Sequence, residues 1–296
     1  MSRKKIAFVR ASPKTRGFPY LPDKTPGRGR IPYYNTDQKD PAYIPFVDVC
    51  WWSDNCADAA QGLRRLGYEV CAFDFDSDRL PELPLSKHTI VKADIRTTRK
   101  ALDLLGVRQP KNVDLPWSLR KYRHRKVWSS TLGDVRKEVE ETKTSLFIKP
   151  LRWQKAFNGH VVYWDPNKYN PRNGTWGGLS YDHETTGFPP DFPVMVSDVV
   201  DISTSPEHRI YVVKKKILPT SLGGCRGFTQ ARRVAEQMVR DFKNQPISYG
   251  LDIAQIEDGP YALVEVNDGF SVGNYNLSFT RYAQVIEARW REMVSS

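Results

Sequence analysis

The sequence predicts an α+β fold that opens with a small α/β segment. Three observations carry this expectation. Strand-like and helix-like runs alternate between residues 46 and 106. A strongly amphipathic helix, two short apolar runs and a closing helix follow one another near the C-terminus. A hydrophobic content of 40% over 296 residues is enough for two or three packed subdomains.

In order, KIAFVR at 5–10 reads as a strand, and 11–45 as a long irregular loop holding Pro13, Pro19, Pro22, Pro26, Pro32, Pro41 and Pro45. PFVDVCWW reads as a strand. CADAAQGLRRLG carries Ala60, Leu63 and Leu66 at helical spacing and ends on Gly67. EVCAFDF and TIVKAD read as strands, and RTTRKALDLLG as a helix. Residues 107–124 are polar, hold Pro110 and Pro116, and mark a boundary. SSTLGDVRKEVEETK reads as a helix with Ser or Thr near its N-cap, and SLFIKP as a strand stopped by Pro150. Residues 152–193 are rich in Gly, Asn, Trp and Tyr and read as largely irregular, with GTWGG at 174–178 as a lid. VMVSDVVDI and RIYVVKKKIL read as strands. QARRVAEQMVRDF is the amphipathic helix and SFTRYAQVIEARWREMV the closing one.

No run approaches the roughly 20 apolar residues of a membrane span. The apolar part of MSRKKIAFVR is too short for a signal peptide, so the chain is expected in the cytoplasm. Cys50, Cys56, Cys71 and Cys225 lack zinc-like spacing and read as ordinary reduced thiols. The net charge of +11 favours an anionic partner without choosing among nucleotide, nucleic acid and acidic peptide. The five histidines are scattered, and no Ser-His-Asp or Cys-His arrangement emerges; His208 reads as structural.

The stretch LDIAQIEDGPYALVEVNDGF, residues 251–270, places Asp252 and Glu265 inside apolar runs that flank a turn. As a hairpin looped at 257–260, with Ile256 opposite Tyr261, it sets Asp252 against Glu265, and Asn267 shares their face. Opposed like charges about 4 Å apart repel by about 1 kcal/mol in water and about 4 kcal/mol near a protein surface. Two readings of these residues stand. Either the face holds magnesium with waters and phosphate oxygens, or it is a solvated strand face in another register.

Asp252 followed by Glu265-Val266-Asn267 and DGFSVGNY, with the strand lysine Lys149 upstream, resembles the ATP-grasp superfamily. The likeness is to its small bacterial and phage ligases and, at greater distance, to tubulin–tyrosine ligase. It covers about residues 125–280. It implies an ATP-grasp fold of two α+β subdomains clasping ATP, at 116–200 and 201–296, preceded by the small α/β domain at 1–115. It makes Asp252, Glu265 and Asn267 the magnesium ligands and Lys149 a phosphate contact. Met195 to Val200, with Ser197, Asp198, Val199 and Val200 foremost, would meet the adenine edge, and Asp198 or Asp201 the ribose. Arg209 would face the phosphates, with Glu207 beside it. Lys126 and Lys155 would add cations, Lys155 from a segment that departs from the family's glycine-rich flap.

The implied activity is an ATP-dependent carboxylate–amine ligase working through an acyl phosphate, with Lys149 and Arg209 as catalytic cations. Its partners would be ATP, a carboxylate donor and an amine acceptor, an amino acid or peptide, free or attached to nucleic acid. The loop at 11–45, Trp51-Trp52 and residues 158–190 either line the acceptor site or are variable surface loops. Ser271, Gly273 and Asn274 are small groups able to approach a phosphate or carboxylate. The alternative is a non-catalytic nucleic-acid-binding protein, with Lys and Arg interleaved with Tyr and Trp at 14–34 and 120–128.

Overall fold

The computed structural model describes residues 5–13, 21–22, 31–34, 46–47, 49–51, 53–73, 77–111, 113–151, 156–170, 175–179, 185, 187–202, 206–257, 259–275 and 277–295. The elements in chain order are β1 (Ile6–Pro13), β2 (Leu21–Pro22), β3 (Ile31–Tyr34), β4 (Phe46–Val47), β5 (Val49–Trp51), α1 (Asp54–Arg65), β6 (Glu69–Phe73), β7 (Thr89–Lys92) and α2 (Ile95–Leu104). They continue as β8 (Val127–Thr131), α3 (Leu132–Thr142), β9 (Leu146–Pro150), β10 (His160–Val162), β11 (Trp164–Asn170), β12 (Thr175–Leu179) and β13 (Pro193–Asp198). The last are β14 (His208–Val213), β15 (Lys216–Ile217), α4 (Phe228–Asp241), β16 (Ser248–Gln255), β17 (Tyr261–Asp268) and α5 (Phe279–Ser295). The chain divides into two compact units. The first holds residues 1–119, 207–253 and 263–296; the second holds 120–206 and 254–262.

In the first unit, β1 lies between β6 and β7 and runs parallel to both. Parallel neighbours need a crossover, and α1 supplies it between β5 and β6. Ser53 caps α1 by accepting from the Cys56 amide at 3.3 Å. Ala59, Ala60 and Leu63 bury its inner face. Gly62 lies where α1 meets α5: a Cβ there would stand 2.0 Å from the Phe279 carbonyl oxygen. Glycine costs a helix about 1 kcal/mol relative to alanine, and here it permits the close crossing. The second sheet of this unit runs β15-β14-β16-β17. The helix α4 packs on β14, burying Phe228, Ala231, Ala235 and Met238.

The second unit is built on the antiparallel sheet β10-β9-β13-β8. Leu146 and Ile148 of β9 and Val194 and Val196 of β13 share a core with Leu132, Val135 and Val139 of α3. Their alternation leaves Phe147, Lys149, Met195 and Ser197 on the other face of the sheet.

Several expectations change. The 11–45 loop contains β2 and β3, and β1 runs on to Pro13; β3 pairs parallel to β6 through Tyr33 and Tyr34. The 152–193 segment contains β10, β11 and β12. Thr175–Leu179, expected as a lid, pairs with β11, Trp164 opposite Leu179. The prolines and glycines that hide these strands tolerate edges and short ribbons. Cys225 is exposed, whereas Cys56 and Cys71 are buried. Among the described residues, no helix is long and apolar enough to cross a membrane.

Two outcomes follow for stability. Gly62→Ala drives a methyl into the α5 backbone and should cost about 1–3 kcal/mol in urea unfolding. Asp94 caps α2, accepting from the Thr97 amide at 3.0 Å and pairing with Arg10 at 2.6 Å. Burial raises its pKa, but the Thr97 amide and hydroxyl and Arg10 outweigh this and leave it below the usual value. The stability it contributes is present above the unfolded carboxylate value of about 4 and lost as pH falls through the lower folded value. Wild type should therefore melt above Asp94→Asn at pH 7, and the gap should narrow as pH falls below about 4.

Candidate functional site

The charged face of the second sheet begins with β14 and β16, where Arg209 stands opposite Asp252. Strand alternation keeps Ile210, Leu251 and Ile253 in the core. Arg209 donates from Nε to Asp252 Oδ1 at 2.6 Å and from Nη2 to Oδ2 at 2.5 Å. The Asp252 side chain is fully buried and that of Arg209 is 10% exposed. This is the bidentate fork that guanidinium and carboxylate form best.

Asn267 lies one strand over. Its Nδ2 donates to Asp252 Oδ2 at 2.8 Å and to Glu265 Oε1 at 2.7 Å. The two acids and the amide therefore share one face, as the hairpin pattern anticipates. The loop is one residue longer than expected: the strands end at Gln255 and resume at Tyr261, and the Ile256 amide donates to the Pro260 carbonyl. Burial raises the pKa of Asp252; Arg209 pulls it back, and the Glu207 and Glu265 charges add to the rise, leaving it at about 7. Partial desolvation also raises Glu207, against the pull of Arg209 and with the push of Glu265.

Among the described residues, no three His, Cys, Asp or Glu side chains form a metal-binding group. The set at this face is instead two carboxylates and one amide. That set fits magnesium, which is held by one or two carboxylates, keeps waters and takes phosphate oxygens. The Asn267 amide supports the fit, since its donor end stands between the two carboxylates where positive charge is favoured.

The remaining expected residues lie in other places. On the open face of β9, Lys149 stands opposite Met195 of β13. Ser197 is buried, and its hydroxyl donates to the Asp198 carbonyl at 3.0 Å. Asp198 Oδ2 accepts from the Lys126 amide at 2.8 Å, tying the two strand ends together. The Lys126 ammonium lies 4.7 Å from the centre of the Trp128 ring. Val199 is exposed and Val200 half-buried beyond the end of β13. Lys155 lies outside the described residues. His208 is buried, stacks edge-on against Phe228 at 5.8 Å and is structural.

Three features escaped the sequence reading. Tyr275 lies over Arg209, its ring centre 4.4 Å from the guanidinium carbon. Asn274 is engaged with α1: its amide donates to Asn55 Oδ1 at 2.7 Å and its Nδ2 to Asp58 Oδ2 at 2.7 Å. Asp268 holds the end of β17 to α5 through two 2.7 Å bonds from Arg289. The only signal in the sequence was the position of these residues just beyond Glu265-Val266-Asn267.

A family model described as an ATP-grasp domain, family 2 of its clade, matches residues 122–285, more than half of the chain. The chain belongs to this ATP-grasp family. It has the ATP-grasp fold and is an ATP-dependent carbon–nitrogen ligase. Membership sets aside the non-catalytic nucleic-acid-binding alternative. No curated protein sequence matches the chain.

Similar solved structures include the ATP-grasp ligase PsnB complexed with a minimal precursor, at 12% identity and a TM-score of 0.42 over 97% of this chain and 100% of that one. D-alanine–D-alanine ligase from Bacillus anthracis is 14% identical, with a TM-score of 0.48 over 81% of this chain and 92% of that one. A RimK domain ATP-grasp protein from Sphaerobacter thermophilus is 12% identical, with a TM-score of 0.43 over 82% and 94%. At these scores the assignment rests on the family match alone.

Removing Asp252 leaves a buried guanidinium without its carboxylate. Asp252→Ala should therefore lose about 3–5 kcal/mol in chemical denaturation. The double variant Asp252→Ala with Arg209→Met removes both charges and should recover much of that loss.

Proposed function

We propose that the chain joins a substrate carboxylate to an amine through an acyl phosphate, releasing ADP and phosphate. The observation that carries this reading is the pair Asp252 and Glu265, bridged by Asn267 and faced by Arg209. In this reading a carboxylate oxygen attacks the γ-phosphorus of ATP and the bond to the ADP oxygen breaks. The amine nitrogen then attacks the acyl carbon, phosphate departs with the carbon–oxygen bond electrons, and the surplus amine proton passes to solvent.

Asp252, Glu265 and Asn267 would hold magnesium. Bound there, it would neutralise phosphate charge as a Lewis acid. Arg209 and Lys149 would act as the catalytic cations, placed in advance where phosphate charge grows. Lys126 and Lys155 would add to that positive field. Ser197, Asp198, Val199 and Val200 would meet the adenine and ribose, chiefly through backbone groups, and Glu207 would tune Asp252. Donor and acceptor would be amino acids or peptides. Residue chemistry supports this reading: two carboxylates in partly apolar strands need a cation, and a ligase needs one at its triphosphate.

Thermal shift with magnesium and ATP tests the reading. At one hundred times Kd, binding should stabilise wild type by about 2.7 kcal/mol. Glu265→Ala should melt like wild type without ligand and lose the ligand-dependent shift. Lys149→Met should weaken it. An undiminished shift in Glu265→Ala would overturn the metal assignment.

A further inference from the structure

Arg209 offers a bound phosphate one flat cation with two edges and two faces. Asp252 takes the edge formed by Nε and Nη2. Tyr275 covers one face, at 4.4 Å from ring centre to guanidinium carbon. The tyrosine is 67% exposed, so apolar burial does not explain its placement.

What explains it is the loop beneath. The Tyr211 hydroxyl donates to the Gly273 carbonyl at 2.6 Å and accepts from the Tyr275 amide at 3.0 Å. Asn274, between them, is tied to Asn55 and Asp58 of α1. Three successive residues are thus held through backbone or side-chain bonds. Arg209 and Tyr211 lie two apart on β14, so one strand supplies both the cation and the post that fixes the loop above it. Ordering an exposed aromatic costs conformational entropy, and here the ordered ring is delivered onto a functional cation.

We propose that Tyr275 is a positioning residue for the ligation: its ring holds the Arg209 guanidinium at a fixed angle to the triphosphate. This rests on reading Asp252, Glu265 and Asn267 as the metal end of the nucleotide site. The physical reason is a division of labour. Asp252 must share its oxygens between Arg209 and a bound cation, which loosens its grip on the guanidinium. The ring is neutral, so its attraction for the guanidinium survives that sharing.

The test is isothermal titration of the full chain with magnesium and ATP. Tyr275→Leu should weaken binding about ten-fold, the scale of a partly desolvated cation–π contact. Tyr275→Phe keeps the ring face and should stay within about two-fold. In an Arg209→Lys background the flat guanidinium is gone, and adding Tyr275→Leu should cost well under the ten-fold seen alone. Melting without ligand should not move, because Tyr211 bonds to the Tyr275 amide and not to its ring. Tyr275→Leu binding like wild type, or an equal loss in the Arg209→Lys background, overturns the proposal. Glu265→Ala, titrated alongside, keeps the two readings apart: its failure to weaken binding sinks the metal site, whereas the tyrosine stands or falls on its own variants.

Discussion

The pairing of Arg209 with Asp252 is the constraint around which the candidate site is arranged. An isolated charge in the protein interior is very costly, and a pair is tolerated only with good geometry and its other bonding groups met. The cross-strand register of β14 and β16 supplies that geometry. Asn267 meets a further lone pair of Asp252, and Tyr275 covers the guanidinium. Glu207 and Glu265 leave negative charge in excess of what one arginine neutralises, and the raised pKa values record that excess. The face is therefore poised for another cation while remaining stable without one.

The rest of the first unit keeps this face in place from behind. Arg289 grips Asp268 and also bonds to Glu292 at 2.6 Å, so the end of β17 is tied to α5 by charge. The Ser248 hydroxyl donates to the Val285 carbonyl at 2.6 Å, tying β16 to the same helix. In the second unit, α3 covers one face of the sheet and leaves Lys149 on the other. An ammonium on that face is reasonable for a strand that meets a polyanion.

Much of this was legible because alternation and periodicity leave strong marks. The helices α1, α2, α4 and α5 and the strands β6, β7, β9, β13 and β14 follow from apolar spacing and breaker residues. The common face of Asp252, Glu265 and Asn267 follows from the period of two. The short strands in 11–45 and 152–193 were hidden because their pairing partners, not their residues, make them strands. The role of Tyr275 was hidden for a related reason. Nothing in a tyrosine after Gly273 and Asn274 reveals an arginine that comes 66 residues earlier in the chain. Likewise Asn274 read as a ligand-facing group, whereas its bonds run to α1.

That last attachment bears on how the chain can be cut. The ATP-grasp match begins at residue 122 and ends at 285, inside α5. A fragment with those ends would lack Asn55 and Asp58, the glycine that admits α5 against α1, and the Arg289 that secures Asp268. It would carry every proposed metal ligand while leaving the aromatic loop untethered and the final helix half-made. The stretch that defines the family by descent is thus shorter than the stretch that folds, and the amino-terminal segment is a structural partner of the catalytic part, not a detachable preface.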